Sequence, residues 1–191
     1  GHAEAQLNLG CRYFFGEGVE KDKTAAFRWC LKAAEQGNWS AIRSLRNSAE
    51  RNDKEAQFSL GYLYYCGRGV DVNTTEAIRW YQKAAEQGHV EAQYELGCCY
   101  YNGIGVERDY TVAVQWFYKA AEQGHAEAQC NLACCYYFGE GIELDETNAV
   151  KWYRKAAEQG DAEAQCNLGH CYYNGLGVEV DYAETILWYS K

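Results

Sequence analysis

The residues best suited to chemistry are two pairs of soft ligands. Cys130 and Cys134 stand four apart, and Cys166 and His170 repeat that spacing 36 residues later. On an α-helix an i, i+4 pair shares one face, so two such pairs on neighbouring helices would bring three thiols and an imidazole together. Thiolate and imidazole donors in a set of four fit tetrahedral zinc. The geometric demand is strict, because packed helices lie about 8–10 Å apart whereas a Zn–S bond spans about 2.3 Å. The alternative is that the ten cysteines of the chain act as small apolar side chains. Adjacent pairs such as Cys98-Cys99 and Cys134-Cys135 point in different directions on a helix, which argues against a disulfide framework and favours a reducing compartment.

Other patterns carry less chemistry. Gly-x-Gly-Val lacks the third glycine and the preceding strand of a dinucleotide fingerprint. His2, His89 and His125 recur in one turn, with Asn52 and Asp161 in the matching places. A position that accepts His, Asn or Asp is a helix cap. No Ser-His-Asp or Cys-His nucleophile pair stands at a defined site, so the sequence indicates no enzyme and no cofactor besides the zinc just considered.

The elements that must position these residues are written as a repeat: Ala-Glu-Ala-Gln, Leu-Gly-x-x-Tyr, Gly-x-Gly-Val, Ala-x-x-Trp, Lys-Ala-Ala-Glu-Gln-Gly. Gly88, Gly124 and Gly160 close successive copies at intervals of 36 residues. Such a period marks supersecondary units that bury their apolar faces only by stacking. The expected organisation is one array over 1–191, with units at 1–36, 52–87, 88–123, 124–159 and a partial 160–191, and a truncated unit at 37–51. In that truncated unit Gly37-Asn38-Trp39-Ser40-Ala41 matches the start of a copy and Ser48-Ala49-Glu50-Arg51 the end. A single helix is expected where a pair should be, either as a hinge or ligand notch or as a tolerated deletion.

Each full unit shows two helical stripes. Ala92, Leu96 and Tyr100 fall at i, i+4, i+8, and Ala128, Leu132, Tyr136 repeat them. Ala113, Trp116 and Ala120 mark the second helix, with Trp116 expected inside. Asp22, Asn73, Asp109, Asp145 and Asp181 stand where they can cap the second helices. Gly10, Gly61, Gly97 and Gly169 sit within first helices, where glycine costs about 1 kcal/mol relative to Ala, so close helix packing is implied.

Taken together, Leu-Gly-x-x-Tyr, Gly-x-Gly-Val, Asp-x-x-x-Ala-x-x-Trp-Tyr and Lys-Ala-Ala-Glu-Gln-Gly resemble the Sel1-like repeat, a relative of the tetratricopeptide repeat. The resemblance covers almost the whole chain. It implies an all-α fold, a right-handed α-solenoid superhelix of antiparallel helix pairs whose first helices line the concave face. It also implies a non-catalytic adaptor, scaffold or receptor segment that binds other proteins.

Against this frame, the residues two, six and nine places after the first-helix Ala point away from the Ala-Leu-Tyr stripe at 100° per residue. They include Phe14, Phe58, Tyr62, Tyr65, Tyr94, Tyr101, Tyr137 and Tyr173, alongside Cys130, Cys134, Cys166 and His170. A solvated helix back is charged, whereas this one is aromatic and rich in thiols. Either neighbouring helices cover it, or it forms an apolar groove for a partner's peptide or helix.

Eighteen Lys and Arg against 27 Asp and Glu give a formal net charge of -9, which opposes nucleic-acid binding. With acidic residues such as Glu95 at the rim, the expected ligand is a basic or amphipathic peptide. No apolar run is long enough to span a membrane, so no membrane insertion is expected. Met is absent even at the start, and the chain is expected to be part of a longer protein.

Overall fold

A computed structural model describes residues 2–191, and every regular element among them is an α-helix. In chain order these are α1 (Ala3–Phe15), α2 (Lys23–Glu35), α3 (Trp39–Glu50), α4 (Lys54–Cys66), α5 (Thr74–Glu86), α6 (Val90–Asn102), α7 (Tyr110–Glu122), α8 (Ala126–Phe138), α9 (Glu146–Glu158), α10 (Ala162–Asn174) and α11 (Tyr182–Tyr189). The chain is an α-solenoid of helix pairs. It divides into two units, one ending at Ala92 and one running from Gln93 to Lys191.

Helix ends follow from short polar residues and glycines. Asp22, Asn73, Asp109, Asp145 and Asp181 each accept a backbone N–H from the first turn of the second helix they precede. First helices end on Gly16, Gly67, Gly139 and Gly175 in the left-handed conformation. The expected pairing of Asn52 with the turn histidines is off by one residue. Asn52 has φ 68° and takes the place held by Gly88 in the next copy, while Asp53 caps α4 through the N–H groups of Glu55 and Ala56. Asn tolerates that left-handed turn better than other side chains with a Cβ.

In the first unit α1 packs on α2 and α4 on α5, with α3 between the pairs against both α2 and α4. One helix thus stands where a pair would, and its Ala41, Ile42, Leu45 and Ala49 are buried. In the second unit α8 packs on α9 and α10 on α11, and successive pairs meet through α7 on α8 and α9 on α10.

The Ala and Leu positions of the stripe are core: Ala56, Leu60, Ala92, Leu96, Ala128, Leu132, Ala164 and Leu168 are fully buried. Trp116 departs from expectation. It is half-buried, and the neighbouring Phe117, 1% exposed, fills the interior instead. The Lys three residues later lies over each Trp ring, at 3.9 Å for Lys119 on Trp116 and 3.8 Å for Lys155 on Trp152. An i, i+3 ammonium over an indole covers the ring face in a cation–π contact.

Candidate functional site

The aromatic row lies between first and second helices rather than on a free back. In the first unit Phe58 stacks on Tyr81 at 5.7 Å and on His89 at 4.5 Å, while Tyr65 meets Tyr81 at 6.3 Å. Phe14 sits edge-on to Phe27 at 6.2 Å. In the second unit Tyr94 stacks on His125 at 4.5 Å, and Tyr101 meets Tyr110 at 5.0 Å and Phe117 at 6.1 Å. On one side, then, these rings are packed against second-helix side chains. A first helix in a stacked array touches both its own partner helix and the adjoining pair, so its buried arc is wider than the Ala-Leu-Tyr stripe.

The row is nonetheless half-open. Phe14, Phe58, Tyr62, Tyr65, Tyr94, Tyr101 and Tyr137 are all half-buried, and Tyr173 is 55% exposed. Polar groups are threaded among the rings. Arg68 pairs with Glu35 at 2.8 Å and lies 6.0 Å from the Tyr62 ring centre. The Tyr101 hydroxyl donates to Glu140 at 2.5 Å. Glu95 is half-buried on α6, and desolvation raises its carboxyl above the usual range. No ion pair or side-chain hydrogen bond neutralises it among the described residues.

The soft-ligand set assembles differently from its sequence spacing. The Sγ atoms of Cys130 and Cys134 and a carboxylate oxygen of Glu163 all lie within 4.8 Å of one another. Cys166 and His170 are exposed and stand outside that cluster. They line an open groove of about 510 Å³ together with Cys134, Glu163, Tyr153 and Tyr189. Glu163 precedes Cys166 by three residues and so shares its helix face. Its place in the repeated Ala-Glu-Ala-Gln does not single it out; it is exposed, and only folding brings it to the α8 thiols.

The two thiols of α8 are unlike each other. Cys130 is 2% exposed, and its hydrogen bond with Cys134 and its burial push its pKa far up. Cys134 is held below the ordinary thiol value by the hydrogen bond from Cys130, helped by the Tyr153 hydroxyl donating at 3.2 Å, against the effect of burial. Of the two thiols, Cys134 is the one that loses its proton more readily.

Two of the three turn histidines cap helices with their rings: Nδ1 of His89 accepts from Ala92 N–H, and Nδ1 of His125 accepts from Ala128 N–H, both at 3.3 Å, whereas His2 precedes α1 without a side-chain cap bond. His89 carries more. It is 5% exposed, with Nε2 3.3 Å from Glu55 and Nδ1 3.4 Å from Glu91. Glu55 was not singled out by sequence, since it occupies the same repeated Glu position as Glu163.

No helix is long and apolar enough to cross a membrane. The Sel1 repeat model matches residues 3–38, 54–89, 90–125, 126–161 and 162–191, leaving unmatched the stretch that holds α3 and its turn. Among solved structures, the chain resembles c5321, a protective antigen of uropathogenic Escherichia coli displaying an SLR fold. Identity is 37% over 100% of this chain and 45% of that one, with a TM-score of 0.78. A Sel1 repeat protein from Oxalobacter formigenes is 38% identical over 98% of this chain and 71% of that one, with a TM-score of 0.71. Helicobacter pylori cysteine rich protein B is 26% identical over 65% of this chain and 90% of that one, with a TM-score of 0.52. The chain spans less than half the length of the E. coli antigen. No match is found among curated proteins.

Proposed function

Since the chain belongs to the Sel1 repeat family, whose members serve as protein-interaction modules, we propose that it is a non-catalytic adaptor or scaffold segment that holds a partner's peptide or helix on its first-helix face. The observation that carries this reading is the row of half-open aromatic rings in each unit, interrupted by the unneutralised carboxylate of Glu95. Tyrosine supplies contact area and a hydroxyl at small entropic cost. A half-buried carboxylate without a cation gains most from a basic side chain of the ligand. The partner is accordingly a protein segment, basic or amphipathic, rather than nucleic acid.

The test uses photo-crosslinking residues at Tyr62 and Tyr173, whose rings are open enough to be replaced without emptying the core, with Arg79 and Gln115 on exposed second-helix faces as controls. Adducts with one defined protein from the first two positions and none from the controls support the reading. Adducts only from the controls move the interface to the second helices.

A second reading rests on the Cys130, Cys134 and Glu163 cluster, which offers two thiols and a carboxylate to a zinc ion, with Cys166 and His170 along the same groove as further donors. Protein purified without chelator would then carry about one zinc per chain, and Cys134→Ser would release it. Metal-free protein whose melting ignores EDTA removes this reading.

A further inference from the structure

The residue after each repeated Trp is aromatic in four helix pairs: Tyr81, Phe117, Tyr153 and Tyr189. Three of these rings lie directly on a first-helix glycine. A Cβ added at Gly61 would come 2.7 Å from the Tyr81 ring, at Gly97 2.6 Å from Phe117, and at Gly169 2.7 Å from Tyr189. This close approach is the reason for a small residue at a helix position where glycine is otherwise costly.

The first pair breaks the pattern. Cys30 follows Trp29, yet Gly10 is retained in the facing helix. The nearest atoms to a Cβ at Gly10 are Ala26 O at 3.0 Å, Cys30 N at 3.4 Å and Trp29 Cβ at 3.5 Å, with no ring among them. The room kept for a ring is instead an open cavity of about 340 Å³ lined by Leu7, Gly10, Phe14, Phe27 and Cys30. That volume lies at the small end of ligand clefts, about 300–1,000 Å³. Leu7 and Phe14 stand where Phe58 and Tyr65 flank the Tyr81 ring in the next full copy.

The single helix α3 supplies the opposite wall. Ser44, Asn47, Ser48 and Arg51 face the cavity at i, i+3, i+4 and i+7. The Arg51 guanidinium makes no ion pair or side-chain hydrogen bond among the described residues, in a chain whose formal net charge is -9. The cavity thus combines an apolar slot shaped by the repeat for a ring with an unclaimed cation at its rim.

We propose that this cavity is a binding pocket for one aromatic side chain of a partner peptide, with the side-chain carboxylate of an adjacent Asp or Glu paired to Arg51. The array itself shows what fits, because its other copies fill the equivalent space with a ring from within. The inference rests on the first-helix face being a binding surface, but it concerns α1 to α3 alone. The crosslinks at Tyr62 and Tyr173 remain informative whatever happens here.

The probe is the peptide acetyl-Gly-Glu-Phe-Gly-amide, titrated into the full chain while backbone amide resonances are followed. Shifts centred on Gly10, Cys30 and Arg51 are expected. Phe→Ala in the peptide should abolish them, and Glu→Gln in the peptide or Arg51→Gln in the protein should each weaken binding about tenfold without adding to one another. Cys30→Tyr, which restores the residue type of the other pairs, should fill the cavity, block the peptide and raise the melting temperature. Cys30→Leu provides a smaller filling should the tyrosine variant misfold, and it should weaken the peptide in the same direction. Binding indifferent to both Cys30 variants, or shifts located elsewhere, overturns the pocket. Preference for acetyl-Gly-Gly-Phe with a free terminal carboxylate would overturn the assignment of the carboxylate to a side chain.

Discussion

Gln159 Nε2 donates to Gln129 Oε1 at 2.8 Å, and Gln129 Nε2 donates in turn to the Ala121 carbonyl at 3.0 Å. The same link joins Gln87 to Gln57 at 2.6 Å, with Ala49 O as the final acceptor at 3.1 Å. Gln123 meets Gln93 at 2.7 Å. The repeated Ala-Glu-Ala-Gln and Glu-Gln-Gly are therefore two halves of one hydrogen-bonded connection, which crosses from the second helix of a pair to the first and on to the preceding turn.

Gln129 is 5% exposed and has both ends of its amide engaged, so Gln129→Ala strands the Gln159 amide and the Ala121 carbonyl. The expected loss is about 1–3 kcal/mol. Thermal unfolding measures it; an unchanged melting temperature would show that water replaces the amide without penalty.

Phe117, not Trp116, should be the costlier aromatic to remove. Phe117→Ala empties a site 1% exposed and should cost about 3–5 kcal/mol, with Trp116→Ala costing less because its ring is half-open beneath Lys119. Gly97→Ala should cost about 1–3 kcal/mol by overpacking. Phe117→Leu should relieve part of that loss, a coupling that a double-mutant cycle in denaturant reads directly.

Acid should expose the Glu55 and His89 pair. The hydrogen bond from His89 holds the Glu55 carboxyl below the usual range against burial, with Lys54 and Arg28 adding attraction and Glu91 on the other side of the imidazole. A carboxyl depressed on folding contributes stability that is fully present above its unfolded value, about 4.3, and is lost as pH falls through the lower folded value. Glu55→Gln should flatten that acid limb, by less than about 1 kcal/mol once solvent screening at this half-open site is included. A variant with the wild-type slope between pH 5 and pH 3, compared by denaturant midpoints, would assign the limb to other carboxyls.

Thiol reactivity should be selective. Burial pushes Cys99 and Cys135 up to about 12 and Cys171 up to about 11, whereas the hydrogen bond from Cys130 holds Cys134 down. Iodoacetamide near neutral pH should label Cys134 before these three, as followed site by site by mass spectrometry. Tyr153→Phe removes a donor to the Cys134 sulfur and should slow its labelling.

Capping and the small-residue helix positions were legible because each is a local requirement: Asp145 before α9 or Gly97 within α6 announces itself within a few neighbours. The solenoid followed from the repeat for the same reason. What remained hidden depends on contacts between helices. Periodicity fixed the direction of Tyr94 and Tyr101, but the position of α7 decided that both rings rest against Phe117. Glu163 and Glu55 share one letter of the repeat with Glu91 and Glu127, and only their neighbours in space set them apart. Asn52 was misplaced by one residue because the truncated copy removes the glycine that otherwise marks the turn.

The glutamine connection has a direction. Gln57, Gln129 and Gln165 each donate to a carbonyl eight residues earlier, at the end of the helix that precedes their own. A ribosome releases the chain N-terminus first, so every acceptor has left the exit tunnel before its donor. The emerging chain thus always presents the carbonyl before the amide that will bind it.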